Sequence, residues 1–198
     1  MGLFDSFRAP LPEVPVDDVL KNRIGKACDR LACPSSAEKV ARAAHDVIRQ
    51  QIYPVSEAFR AKAPVKEDAL EMHLMLCIWA GMAAQVAETY GWPRGLATAQ
   101  PAAEAMREYV AFSRREEWDK GPVPLVVYAQ QSNKNDADPV HATLGVMAQL
   151  LGLTSRTGGL EGFFRMGILC WMAGEILGDK LVLVEVEVED APSTEDKQ

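Results

Sequence analysis

The chain has 198 residues, of which 48% are hydrophobic and 25% charged, a composition that favours a folded globular protein over a fibrous or wholly disordered one. Its formal net charge is −7, and residues 185 to 198 carry −5 of that charge. Because the rest of the chain is almost neutral, it lacks the basic stripe that nucleic-acid binding requires, and we expect no nucleic-acid partner.

The N-terminal residues 1–15 are predicted to form an arm on a proline-rich linker. Leu3, Phe4 and Phe7 make the arm apolar, and three prolines prevent it from continuing as a helix. The start of the chain also matches a myristoylation pattern with Gly2 as acceptor. The residues that follow are not polybasic, and one acyl chain alone gives only marginal membrane binding. We therefore expect the arm to dock on this protein or on a partner rather than on a membrane.

Residues 16–189 are predicted to form a single, mainly α-helical domain, an orthogonal bundle of about six helices. An apolar stripe indicates a first helix over residues 17 to 32. Ser35 and Glu38 match a capping box at the start of a second helix, which we expect to bend at Pro54 and to end near residue 63.

A third helix over residues 66 to 90 is apolar on nearly every side, which predicts a central position in the bundle. The lack of bulk at Gly81 would allow a neighbouring helix to approach closely. A turn is expected over residues 91 to 95, followed by a fourth helix over 101 to 118.

The last two helices are predicted after residue 138. Asp138 as cap and Pro139 at the first helical position indicate a fifth helix, and a sixth over residues 160 to 177 should be the second innermost helix. Residues 181 to 188 alternate valine with leucine or glutamate, which is typical of a strand with one buried face. We expect it to pair with residues 123 to 129 in a small two-stranded β element, followed by an acidic, disordered tail over 190–198.

The cysteines indicate a reducing compartment. Cys77 and Cys170 lie inside apolar helical stretches, and no secretory signal precedes them, so reduced thiols in a cytoplasmic protein are expected. The longest apolar stretches, residues 74 to 84 and 166 to 174, are shorter than the roughly 18 residues that span a bilayer. They are interpreted as buried helices.

Candidate metal and catalytic residues do not form a complete site in the sequence. The dipeptide His45-Asp46 resembles part of the HD motif of metal-dependent phosphohydrolases, but no histidine precedes His45, so a His-Asp pair on a helix surface is favoured. Glu71 and His73 would lie about 200° apart around a helix and cannot bind one metal ion together. We expect no catalytic residues, metal or cofactor.

An anion site is possible at the start of the predicted sixth helix. Arg156, Thr157, Gly158 and Gly159 stand where unpaired backbone N–H groups and the helix dipole attract negative charge. No phosphate-binding fingerprint accompanies them, so a simple interhelical turn is the alternative.

Two functions are considered. The first is a non-catalytic interaction protein, such as an adaptor, regulatory subunit or inhibitor, that binds another protein with a basic surface through the arm (Leu3, Phe4 and Phe7) and through Glu185, Glu187 and Glu189. The alternative is a small-ligand-binding protein or metal-dependent helical enzyme. Its pocket would lie between the central helices, lined by Trp79, Trp171 and methionine residues, with polar groups supplied by His73 or Arg156.

Overall fold

The computed structural model describes residues 15–60, 65–120, 138–153 and 159–189. These residues fold into a bundle of α-helices, and no strand occurs among them, so the mainly helical fold is confirmed. The helices of six residues or more in these ranges are α1 (Asp18–Leu31), α2 (Ala37–Val47), α3 (Glu67–Tyr90), α4 (Trp92–Arg107), α5 (Arg115–Lys120), α6 (Pro139–Leu150) and α7 (Leu160–Glu189).

Side-chain caps begin several of these helices. Asp17 and Asp138 cap α1 and α6 by accepting a hydrogen bond from the backbone N–H two residues further on. Ser36 caps α2, whereas the sequence predicted Ser35, which instead donates its hydroxyl to the carbonyl of Ala32 at 2.7 Å. The prediction was one residue out because both serines precede the same helix.

The chain stays mostly helical beyond α2 but becomes irregular. A π-helical turn (Ile48–Ile52) is followed by two short helical segments, Tyr53–Val55 and Glu57–Arg60. The predicted bend at Pro54 falls in this segment, where proline cannot donate a backbone hydrogen bond. This irregular stretch brings the end of α2 beside the first turns of α3.

The centre of the bundle is the contact between α3 and α7. A Cβ atom on Gly81 would lie 2.3 Å from the carbonyl oxygen of Trp171, and one on Gly174 would lie 2.0 Å from that of Ile78. The backbones of α3 and α7 are therefore in contact at Gly81 and Gly174, where no side chain separates them. The predicted innermost position of both helices and the close approach at Gly81 are confirmed.

Helix α3 is also long and apolar enough to cross a membrane by length and composition. Inside the protein, 89% of its most apolar window is buried. A core helix surrounded by other helices satisfies the same criterion.

The predicted strand over residues 181 to 188 is wrong, because α7 continues through it to Glu189. Leu177 and Leu181 are both buried and lie four residues apart, so the helical period still directs apolar groups inward. Lys180 reaches Asp29 of α1 at 2.7 Å. A helix satisfies its backbone hydrogen bonds internally, whereas a strand over these residues would need a second strand to hydrogen-bond with.

The two-stranded β element is accordingly not supported. Its second member, residues 123 to 129, lies outside the described residues, as do the predicted arm up to residue 14 and the tail over 190–198.

The region after α3 also differs from the prediction. Only Gly91, with φ of 75°, separates α3 from α4, which begins at Trp92 and continues through Pro101. The predicted turn over 91 to 95 is therefore wrong. The helix predicted over 101 to 118 is helical in part, but it starts earlier, at Trp92, and is interrupted between Arg107 and Arg115. A Cβ atom on Gly95 would lie 2.7 Å from the Cα of Ala87, so this glycine allows α4 to pack closely against α3.

Candidate functional site

A cleft of about 350 Å³ lies where three segments of the bundle meet. Arg49 from the π-helical turn forms one side, the first turns of α3 form a second, and residues 109–111 between α4 and α5 form the third. This volume falls in the range of sites that enclose small organic molecules.

The most enclosed polar group of the cleft is the carboxylate of Glu71 on α3. Its side chain is only 12% exposed, and it accepts hydrogen bonds from Nε and Nη2 of Arg49 at 3.0 and 2.6 Å. These hydrogen bonds raise the pKa of Arg49. A two-bond contact of this kind fixes the orientation of both groups.

His45 joins the same carboxylate to the third side of the cleft. Its Nε2 lies 3.2 Å from Oε1 of Glu71, and its ring stacks on that of Tyr109 with centroids 4.6 Å apart. The contact between His45 and Asp46, considered from the sequence, is longer, at 3.8 Å. We call His45, Arg49, Glu71 and Tyr109 the Glu71 cluster.

Two further carboxylates line the cleft from the first turn of α3. Oε1 of Glu67 lies 2.6 Å from Nη2 of Arg60, and Oδ2 of Asp68 lies 3.5 Å from Nε of Arg114. The two carboxylates belong to the lining, whereas the two arginines reach them from outside it.

Apolar groups complete the cleft. Met72 and Met75 follow on α3, and Val110 and Ala111 follow Tyr109. Met72, Met75 and Val110 are almost fully buried, whereas Ala111 is exposed. The apolar side of the cleft is therefore mostly packed core, with accessible surface at Ala111.

The polar groups of the described lining are three carboxylates, one guanidinium and one phenol. The described residues of the lining include no serine, threonine or cysteine. Nor do the described parts of the chain bring three histidine, cysteine, aspartate or glutamate side chains together in a way that could hold a metal ion.

The aromatic and histidine side chains considered as pocket residues from the sequence lie elsewhere. Trp79 and Trp171 are buried in the core, where their indole N–H groups donate to the carbonyl of Ala99 at 3.2 Å and to Glu175 at 2.8 Å. His73 is also buried, and its Nδ1 lies 2.8 Å from a backbone carbonyl oxygen of its own helix. Burial lowers the pKa of His73.

The residues predicted to bind a partner or an anion are mostly beyond what the structure describes. Leu3, Phe4, Phe7, Arg156, Thr157 and Gly158 lie outside the described residues. Gly159 is buried, and a Cβ atom there would lie 2.9 Å from Leu153.

The acidic positions Glu185, Glu187 and Glu189 belong to the end of α7. Positions two apart on a helix are separated by about 200° around its axis. Glu187 therefore does not share a helix face with Glu185 and Glu189, which are four residues apart, so the three positions do not form the single acidic face expected of a strand. Their partner-binding role stays a prediction.

Sequence reasoning missed the cluster because its members come from separate parts of the chain. Glu71 was compared with His73, its near neighbour in sequence, and His45 with Asp46. The contacting partners in the fold are 22 to 64 residues apart along the chain, and no local pattern marks them. One weak signal was present, since Glu71 is a charged residue shortly before the apolar middle of this helix.

No family model matches the chain, and comparison with curated proteins and with solved structures found no match either. Its function is therefore inferred from its own residues.

Proposed function

We propose that this protein binds a small organic molecule in the cleft formed by Arg49, the first turns of α3 and residues 109–111. The observation that carries the proposal is the Glu71 cluster, a set of mutually oriented polar side chains at the edge of a cavity of about 350 Å³. Binding sites typically combine a few fixed polar groups with a larger apolar surface.

The arrangement supports ligand binding because its polar groups are held in place before a ligand arrives. The guanidinium of Arg49 and the ring of Tyr109 are each tied to a second member of the cluster. Ligand binding would therefore cost little additional side-chain entropy, because these side chains are already ordered. Tyr109 and Ala111 supply the accessible apolar surface, above the buried Met72 and Met75.

Binding of another protein stays a prediction. Its residues lie outside the described part of the chain or at the end of α7, so the described structure adds nothing to that hypothesis. The cleft makes the ligand-binding alternative the better supported of the two.

The test is a screen of small organic fragments against the isotope-labelled protein by two-dimensional NMR. We expect some fragments to shift the amide signals of residues 67–75 and 109–111. The variant Ala111→Trp should fill the cleft and abolish these shifts. Ala97→Trp, at an exposed position of α4 outside the cleft lining, is the matched control and should leave them unchanged.

Two results would overturn the proposal. In one, no fragment shifts the signals of the cleft. In the other, both tryptophan variants bind the fragments as the unmodified protein does, which would place binding elsewhere.

A further inference from the structure

We infer that the N-terminal segment, residues 1–14, folds back onto this protein and docks on the exposed side chains of Val19 and Val55. This inference goes beyond the proposed function and does not depend on it. It follows from the register of two helical segments, from the exposure of the two valines, and from the place where the chain enters α1.

The register between α1 and the segment that follows α2 is fixed by one contact. Helices α1 and α2 pack together and are joined by residues 32–36 alone, so they run antiparallel. Beyond the end of α2, Nη2 of Arg23 donates a hydrogen bond to the carbonyl oxygen of Gln51 at 3.2 Å. The second turn of α1 therefore lies beside the π-helical turn.

Val19 and Val55 each lie one helical turn beyond this contact. Val19 precedes Arg23 by four residues and shares its face of α1. Val55 follows Gln51 by four residues, and the backbone stays in the helical region at Tyr53 between them. Because the two segments run antiparallel, both valines lie at the same end of the bundle, on the side away from residues 32–36.

Both valines expose apolar surface at this end. Val19 is 74% exposed and Val55 is 38% exposed, although Leu20, next to Val19, packs against the core. Pro54, next to Val55, is exposed as well. The cost of apolar surface in water rises with its area, so an apolar group that covers these residues is stabilising. We call Val19, Pro54 and Val55 the valine edge.

The chain enters the fold at the valine edge. Pro15 is the first described residue, and α1 begins three residues later. The preceding residues include the aromatic side chains of Phe4 and Phe7. The eight residues from Phe7 to Pro15 span up to roughly 26 Å when extended, whereas Val19 is only about 10 Å along the chain path from Pro15. The segment is therefore long enough to turn back and cover the edge.

A tethered segment has an advantage over a separate partner at this surface. Its attachment to the same chain gives it an effective concentration of the order of millimolar. A protein partner would meet the edge only at its own, much lower concentration in the cell. The sequence left open whether the arm docks on this protein or on a partner, and the valine edge favours the first.

The test places a nitroxide spin label on the arm and measures its effect on amide signals in two-dimensional NMR. The label is attached to Ser6→Cys in a chain that also carries Cys33→Ser, because Cys33 is the exposed native thiol. We expect the label to reduce the amide signal of Val55 by half or more. Val55 is informative because it is distant from the label in sequence.

A variant of the arm shows whether its aromatic side chains cause this effect. Replacing both Phe4 and Phe7 by serine keeps the length of the arm and the position of the label. We expect this variant to recover most of the Val55 signal, because an arm without these rings lacks the apolar contact. The exposed Phe112, outside the valine edge, should keep its signal in both chains.

A second pair of variants tests the surface itself. The double variant Val19→Ser, Val55→Ser should also recover the signal of position 55. Leu150→Ser, Leu183→Ser is the matched control, since it removes two other exposed apolar side chains, and it should leave the signal loss unchanged. Thermal unfolding verifies that each variant retains the fold.

Four results would overturn the inference. The first is the absence of signal loss at Val55, and the second is a loss that persists when Phe4 and Phe7 are serine. The third is a loss that is strongest elsewhere, for example around Phe112. In the fourth, the loss appears only when a spin-labelled chain is mixed with an isotope-labelled chain that carries no spin label, which would place the arm on a second copy. The fragment screen decides the proposed function independently of all four.

Discussion

Glu71 shows how a single carboxylate can organise the groups around a cleft. It lies on the central helix α3, and its side chain is 12% exposed, so its oxygens need hydrogen-bond partners that replace water. Arg49 and His45 supply that replacement from the preceding helical segment. Glu67 makes a similar contact with Arg60, but its side chain is largely exposed to solvent. The two glutamates therefore offer a matched comparison on the same helix.

We predict that Glu71→Gln lowers the free energy of unfolding by about 1.5 to 3 kcal/mol, the range for hydrogen bonds to charged groups. Glu67→Gln should cost less than about 1 kcal/mol, because exposed ion pairs contribute little. Urea unfolding followed by circular dichroism at pH 7 measures both values. Equal costs for the two variants would contradict the enclosed position of Glu71.

The packing of α3 against α7 depends on glycine at the points where the backbones touch. Gly81 and Gly174 each lie against a carbonyl oxygen of the opposite helix. Glycine in the middle of a helix is otherwise unfavourable by about 1 kcal/mol relative to alanine. The close contact between the two helices offsets this cost by excluding voids from the core.

We predict that Gly81→Ala and Gly174→Ala each destabilise the protein by about 1 to 3 kcal/mol, because the new methyl group would force the helices apart. Gly25→Ala in α1 is the control. Its Cβ would lie 3.7 Å from a side-chain atom of Ile176, an ordinary contact, so the variant should gain up to about 1 kcal/mol from helix propensity. Thermal melting compares the three variants, and destabilisation by Gly25→Ala to the same extent would refute the explanation.

The same helices show what the sequence could predict. An all-apolar segment has only one favourable position, the centre of the bundle, so α3 and its close contact at Gly81 were predicted correctly. The cap at Asp138 was also predicted correctly, because a cap is a local hydrogen bond. The alternating pattern after residue 181 was misinterpreted as a strand. The pattern by itself does not show that the preceding helix can continue through these residues.

The candidate site could not be predicted in the same way. His45, Arg49, Glu71 and Tyr109 belong to separate segments, and their contacts depend on how the irregular turn after α2 packs on α3. Such contacts follow from tertiary packing, which residue spacing along the chain does not encode.

At the scale of the whole molecule, three cysteines from different helices share one core. Cys28 of α1, Cys77 of α3 and Cys170 of α7 are all completely buried. Burial raises the pKa of Cys28 to about 12 and raises the pKa of the other two thiols as well. The fourth cysteine, Cys33, is exposed. Thiol reactivity therefore reports on the integrity of the whole bundle.

We predict that the aromatic disulfide reagent DTNB, at pH 8, labels one thiol per folded chain rapidly, and all four in concentrated guanidinium chloride. The buried thiols are both inaccessible and protonated at this pH, and only a thiolate attacks the reagent. Their labelling should follow the rate at which the bundle opens, so Gly81→Ala should accelerate it. Cys33→Ser is the control and should remove the rapid phase alone. Rapid labelling of a second thiol would mean that the core around α1, α3 and α7 opens without global unfolding.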